Sequence, residues 1–204
     1  TIADDSLYYK LIVRGGLLPV INTKSNIFTM FVPNNAAMRQ FLVAIGAPAG
    51  QPDAVYVGFI NSFVPVTTAA SIVSYNMMPQ AITTASIPNT FPNFFYPTHL
   101  NPTVVNPPFN PLVRLLTFPS TRNGNWVNNI PLVAVNNVVA NGVIHTAAAI
   151  PIPPSKVLYQ RLATDADLTI FNAAITRADS GIAPTTSASL IWVFSNFGPN
   201  LTVF

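Results

Sequence analysis

Apart from a short run at residues 28–32, apolar residues fall at helical spacing in the segments up to Pro79 and at shorter, less regular intervals from Ala81. Leu7, Leu11, Leu17 and Leu18 predict a first helix over residues 6–20, interrupted at Gly15-Gly16. Residues 28–32, Phe-Thr-Met-Phe-Val, are β-prone and nearly all apolar, as in a central strand covered on both faces. Pro33 cannot donate to a ladder, so the strand ends there. Behind it Met38, Phe41, Leu42 and Ile45 fall at i, i+3, i+4 and i+7, one helical stripe closed by Gly46. Asn34 or Asn35 can cap this helix by accepting from its first free amides. Val55, Tyr56, Phe59, Ile60 and Phe63 form another stripe before Pro65. A third helix, starting at Thr67 or Thr68, carries Ile72, Val73 and Tyr75 towards Pro79.

From Ala81 the period changes. TTASI, LVRLLTF, NWVNNI, PLVAV, VVANGVIHT and AAIPI are short β-rich runs divided by Asn, Gly and Pro. Asn123-Gly124 and Asn141-Gly142 suit tight turns with positive φ. Helices first and strands later predict an α+β domain. After Pro154, Leu162, Leu168, Phe171 and Ile175 predict a further helix, and LIWVF (residues 190–194) is a β-prone run without charge. Leu201-Thr202-Val203-Phe204 repeats the character of Phe28-Thr29-Met30-Phe31. Residues 155–204 are too apolar for a solvated extension. They are expected to pack on the preceding residues or on a second copy, which makes a homo-oligomer a candidate assembly.

Composition narrows the function classes. Half the chain is hydrophobic and only 7% is charged, so polarity comes from 21 Asn and 19 Thr, with 20 Pro shortening the regular elements. Mean hydropathy is +0.43, yet Pro, Asn or a charge interrupts every apolar run before it could span a bilayer as a helix. The net charge of +3 is spread over scattered basic residues, which argues against a nucleic-acid partner. Without cysteine there is no disulfide, thiol chemistry or Cys-bound zinc, which suits a bacterial surface protein as well as the cytosol. His99 and His145 each stand alone in the sequence, and Asp165 and Asp167 precede a helix whose dipole they complement. No phosphate loop, metal spacing or nucleophile elbow is present, so no catalytic residue, metal or cofactor is expected.

Two stretches carry a family resemblance. FTMFVPNNAAM resembles the first signature of fasciclin-like domains through Thr29, Phe31, Pro33, Asn34-Asn35 and Ala36-Ala37, with Met38 in the closing apolar place. ANGVIHTAAAIPIPP, residues 140–154, resembles the second through Asn141, Gly142, Val143, Ile144, His145, Ile152 and Pro153-Pro154, with Ala147-Ala148 replacing the usual Ile-Asp. The resemblance implies a wedge in which a β-sandwich carries several short helices along one edge. It also implies a secreted or surface-anchored protein associated with adhesion. On this reading residues 1–154 form one fasciclin-like domain and residues 155–204 begin a second, cut at its first strand. The expected place is the cell surface, bacterial outer membrane or periplasm, with an anchoring lipid signal ahead of Thr1.

Departures from the family pattern bear on ligands. Many members carry a Tyr-His pair before Pro-Gly, a region linked in some animal proteins to integrin binding. Here Tyr75 is kept, Asn76 replaces His and Gln80 replaces Gly, so integrin binding is not carried over. Residues 88–111 are long, Pro-rich and aromatic, with Phe91, Phe94, Phe95, Tyr96, His99 and Phe109. Such a loop either covers apolar surface or offers rings to a sugar. Three functions follow: an adhesion or matrix module that binds a surface protein or polysaccharide, a glycan-binding accessory module using the 91–109 aromatics, and a spacer without a ligand. Tyr75, Asn76, Phe94, Phe95, Tyr96 and His99 are the candidate ligand residues.

Overall fold

A computed structural model describes residues 6–90, 93–101 and 113–195. The chain divides into two compact units, Thr1–Pro153 and Pro154–Phe204.

The first unit opens with α1 (Ser6–Arg14) and α2 (Leu18–Asn22), followed by β1 (Phe28–Pro33) and α3 (Asn35–Ala44). Next come α4 (Asp53–Phe63), α5 (Val66–Tyr75) and β2 (Met77–Met78). β3 (Tyr96–Pro97), β4 (Leu116–Thr117), β5 (Pro119–Ser120) and β6 (Trp126–Val127) are two-residue strands. β7 (Ile130–Val139) and β8 (Gly142–Ala147) form the long hairpin. Six strands make one sheet in the order β2-β1-β8-β7-β6-β5, and β3 pairs with β4 separately. β1 runs parallel to β8, with Phe28 opposite Gly142 and Phe31 opposite His145, while the other neighbours are antiparallel.

Every residue of β1 is buried. Alternation sends Phe28, Met30 and Val32 into a core shared with Leu7 and Leu11 of α1, Met38 and Leu42 of α3, Ile60 of α4 and Val73 of α5. Phe31 points to the opposite face, with Met78, Ile82, Ile87 and Val127. The sheet is therefore covered on both sides of β1, as its unbroken apolar run predicts. Pro52 and Pro65 sit at the N-cap positions of α4 and α5, where a missing N–H costs nothing.

Sequence and structure part at several places. TTASI is a 3₁₀ turn, Thr84–Ser86, because the side chain of Asn136 accepts from the Thr84 amide (2.8 Å) and donates to its hydroxyl (2.7 Å). AAIPI forms no strand beyond Ala147: Ala148 donates to the Pro131 carbonyl, and the prolines that follow have no N–H for a ladder. LVRLLTF contributes only Leu116–Thr117 among its described residues. NWVNNI bends in its middle, where Asn128 and Asn129 adopt φ of 49° and 64° and close a two-residue hairpin between β6 and β7. Asn123-Gly124 takes the positive φ expected of it, 54° and 121°.

At Asn141-Gly142 the turn residues are Ala140 and Asn141, since Val139 pairs with Gly142. Gly142 already belongs to β8, and a Cβ there would run into the Phe28 carbonyl, so glycine is required by close strand approach. Ile45, Val55 and Phe63, placed on apolar stripes by spacing, are 46%, 40% and 72% exposed and lie outside the core. α5 starts at Val66, just ahead of the expected threonines.

The second unit holds α6 (Leu158–Ala163), a 3₁₀ turn (Ala166–Leu168), α7 (Thr169–Ala178) and α8 (Leu190–Ser195). Val157, Leu162 and Ile175 are its buried apolar side chains among the described residues. The β-prone LIWVF run is helical. The Asp179 carboxylate accepts from the Leu190 and Ile191 amides (2.8 and 2.9 Å), and Ser189 Oγ accepts from Trp192 (3.1 Å), which satisfies the first turn of a helix. Local capping overrides side-chain β propensity here. Leu201–Phe204, the repeat of the first-strand phrase, lies outside the described residues.

Candidate functional site

The two signature stretches meet along the β1–β8 pair, and their polar side chains are consumed by the fold. Thr29 is buried, donates to the Gln80 carbonyl and accepts from the Ile82 amide, both at 2.7 Å, tying the segment after β2 to the sheet. Pro33 ends β1 opposite Ala147. Asn34 is the N-cap of α3, accepting from Ala37 (2.9 Å). Asn35 serves another helix: its Oδ1 accepts from the Leu7 amide (3.0 Å) and its Nδ2 donates to Ser6 Oγ (3.1 Å), holding the start of α1. Asn141 donates to the carbonyls of Ile21 and Asn26 (2.8 and 3.2 Å) and so brackets the turn between α2 and β1.

His145 is fully buried and stacked on Phe31, with ring centroids 5.7 Å apart. Its Nδ1 accepts from the Asn136 amide (3.2 Å), which leaves Nε2–H to donate to the Ile82 carbonyl (3.0 Å). Burial pushes its pKa below the ordinary 6.5, while the Ile82 hydrogen bond partly offsets this. A neutral ring with both nitrogens engaged has no lone pair to offer a substrate.

Tyr75 and Asn76 also lie in the interior. Tyr75 donates to the Leu116 carbonyl and accepts from Asn128 Nδ2, both at 3.1 Å, and burial raises its phenol pKa. Asn76 donates to the carbonyls of Ile72 and Pro151 (2.7 and 3.0 Å). It is also the side chain against which the buried Tyr8 hydroxyl rests, without full hydrogen-bond geometry. His99 is half-buried, edge-on to Phe28 at 5.9 Å, and burial and then Arg114 lower its pKa. Tyr96 packs inward beside the Phe31 cluster.

Phe94 and Phe95 are the candidates that face outward, 53% and 59% exposed. Phe95 stands edge-on to Phe118, itself 43% exposed, at 6.3 Å. Phe118 opens onto a shallow hollow of about 380 Å³ lined by Asn93, Arg122, Asn123, Trp126 and Asn129. The hairpins of β5–β6 and β6–β7 place Asn123 and Asn129: the Asn128 side chain accepts from Phe118 N–H (2.9 Å), and the Trp126 indole rests on the Asn123 turn. Phe118 and Trp126 were hidden by their place in runs that read as ordinary strands. Their signal was an aromatic beside each Asn-rich turn. Phe91 and Phe109 lie outside the described residues. No acidic side chain lines the hollow, and no group of three metal-binding side chains occurs, both among the described residues. Exposed rings edged by amides can stack and hydrogen-bond a neutral polar ligand.

The fasciclin domain family matches residues 4–150, and the chain belongs to that family. The architecture is the α+β one that the two signatures predict, with the six-stranded sheet and its helices. Members of this family are generally non-catalytic adhesion modules of extracellular or cell-surface proteins. Among solved structures the chain is similar to the FAS1 domain pair from the insect cell adhesion molecule Fasciclin I, at 12% identity and a TM-score of 0.43. That match covers 93% of this chain and 55% of the domain pair. No curated protein matches the chain.

Proposed function

We propose that this fasciclin domain is a non-catalytic adhesion module at a bacterial cell surface, outer membrane or periplasm, and that it holds a matrix polysaccharide on the Phe95–Phe118 face. The observation that carries this reading is the exposed pair of rings edged by Asn93, Asn123 and Asn129. Rings left this open do not help the core, while a sugar face supplies the apolar contact and its hydroxyls meet the amides. The signature residues cannot play this part, since their polar groups are already satisfied inside the fold.

The test is a polysaccharide array probed with the intact chain, with Phe95→Ala and Phe118→Ala, and with the double variant. The single variants are expected to weaken binding roughly fivefold to tenfold and the double variant to abolish it, as for anchors at the centre of an interface. If the double variant keeps its melting temperature and binds every polysaccharide as the intact chain does, the aromatic face is not the contact. A chain that binds no polysaccharide at all would favour the spacer reading.

A further inference from the structure

A second concavity lies between α1–α2 and the strands β1, β8 and β7. It encloses about 610 Å³, within the range of small-molecule pockets. Its floor is apolar and comes from a helix and the sheet: Ile12 of α1 and Met30 and Val32 of β1 are buried there, with Ile144 of β8 half-buried beside them. Leu18 and Ile21 of α2 form the half-buried wall. The rim is polar and exposed, with Asn22, Lys24 and Asn137. Lys24 is the one charged side chain that lines the cleft, and no carboxylate does, among the described residues.

We propose that this cleft binds a single-chain amphiphile with a carboxylate head, of the fatty-acid class. The apolar floor takes the hydrocarbon chain, and burying it supplies the driving force, about 0.8 kcal/mol for each methylene. The rim selects the head: an ammonium with no carboxylate among the described lining residues attracts an anion and repels a cation, and the flanking amides donate to its oxygens. Two features make the cleft a built concavity. Asn141 fixes the chain around α2 by its bonds to Ile21 and Asn26, which holds the helical wall off the sheet. β7 then ends in a two-residue turn, so Val139 and Asn137 stop at the rim and do not close over it. The site shares no lining residue with the Phe95–Phe118 face, so its occupancy is independent of the polysaccharide reading.

The experiment is titration calorimetry of the full chain with decanoate, decanol and decyltrimethylammonium, each below its micellar limit. Decanoate is expected to bind with one site per chain, decanol more weakly, and the cationic amphiphile most weakly of the three. Lys24→Ala should weaken decanoate about fivefold, the value of an exposed ion pair, and leave decanol unchanged. Leu18→Trp, which fills the cleft from its wall, should weaken both, with the melting temperature checked to show that the variant folds. Phe95→Ala should change neither. Absence of decanoate binding, equal binding of the cationic amphiphile, or full affinity in both Lys24→Ala and Leu18→Trp each overturns the proposal.

Discussion

Asn35 joins helices that are neighbours in space but far apart in sequence. Removing its side chain strands the Leu7 amide in a buried place and frees Ser6, so Asn35→Ala is expected to cost about 1–2 kcal/mol. Urea unfolding measures it, and an unchanged midpoint would mean that the start of α1 is held some other way. His145 gives a pH dependence with a definite sign. Its folded pKa lies below the ordinary 6.5, because burial penalises a charged ring, and a proton on Nδ1 would also face the Asn136 N–H. As pH falls through 6.5 the unfolded chain takes up a proton that the folded ring refuses, so stability declines from there down to the lowered folded value. His99, lowered by burial and by Arg114, acts in the same direction. Denaturant midpoints are therefore expected to be flat above ~pH 7.5 and to fall towards ~pH 5. His145→Gln should start lower and fall less steeply. A slope identical to that of the intact chain would assign the whole effect to His99.

At the scale of elements, β1 and β8 approach so closely that Gly142 has no room for a side chain beside the Phe28 carbonyl. Gly142→Ala must therefore push the parallel pair apart, at an expected cost of roughly 2–3 kcal/mol. An unfolding midpoint equal to that of the intact chain would contradict so tight a register. α8 owes its existence to Asp179 and Ser189, which satisfy its first turn. Hydrogen bonds from Ser189, Ile191 and Leu190 hold the Asp179 pKa below the usual carboxylate range, so the cap survives moderate acid. In a Trp126→Phe background, Asp179→Ala is expected to unwind α8 and shift Trp192 fluorescence to longer wavelength. An unshifted spectrum would show that packing alone keeps the helix.

For the whole molecule, both hydrophobic clusters draw all their residues from the first unit, between Leu7 and Ile150. A chain ending at Pro153 therefore retains every buried side chain of those clusters and is expected to melt in one cooperative transition. Calorimetry decides, and a broad or absent transition would make the later residues part of the folding unit. The second unit leaves Ile170 86% exposed and Phe171 38% exposed on α7. Such side chains favour contact with another surface, so Ile170→Asp is expected to lower the apparent mass of the full chain in light scattering. A chain already monomeric at all concentrations would remove that role for α7.

The sequence by itself determined the elements with strong local causes. The β1 run, its proline stop, the cap at Asn34 and the apolar stripe of α3 follow from backbone donors and from side-chain spacing, and both family signatures are short contiguous phrases. What the tertiary structure alone decided are the pairings between distant residues. Nothing near Asn35 in sequence points to Leu7, nothing near Asn136 points to Thr84 and His145, and an Asn-Asn pair looks the same in a strand as in a hairpin turn. The aromatic face was legible only in part: Phe94 and Phe95 stood in a loop rich in rings, whereas Phe118 joined them because β4 and β5 carry it there. Spacing along a helix tells which residues share a face, but only the opposing layer decides how wide the buried stripe is. That is why Met38 and Leu42 are buried while Ile45, one turn on from Phe41, is left in solvent.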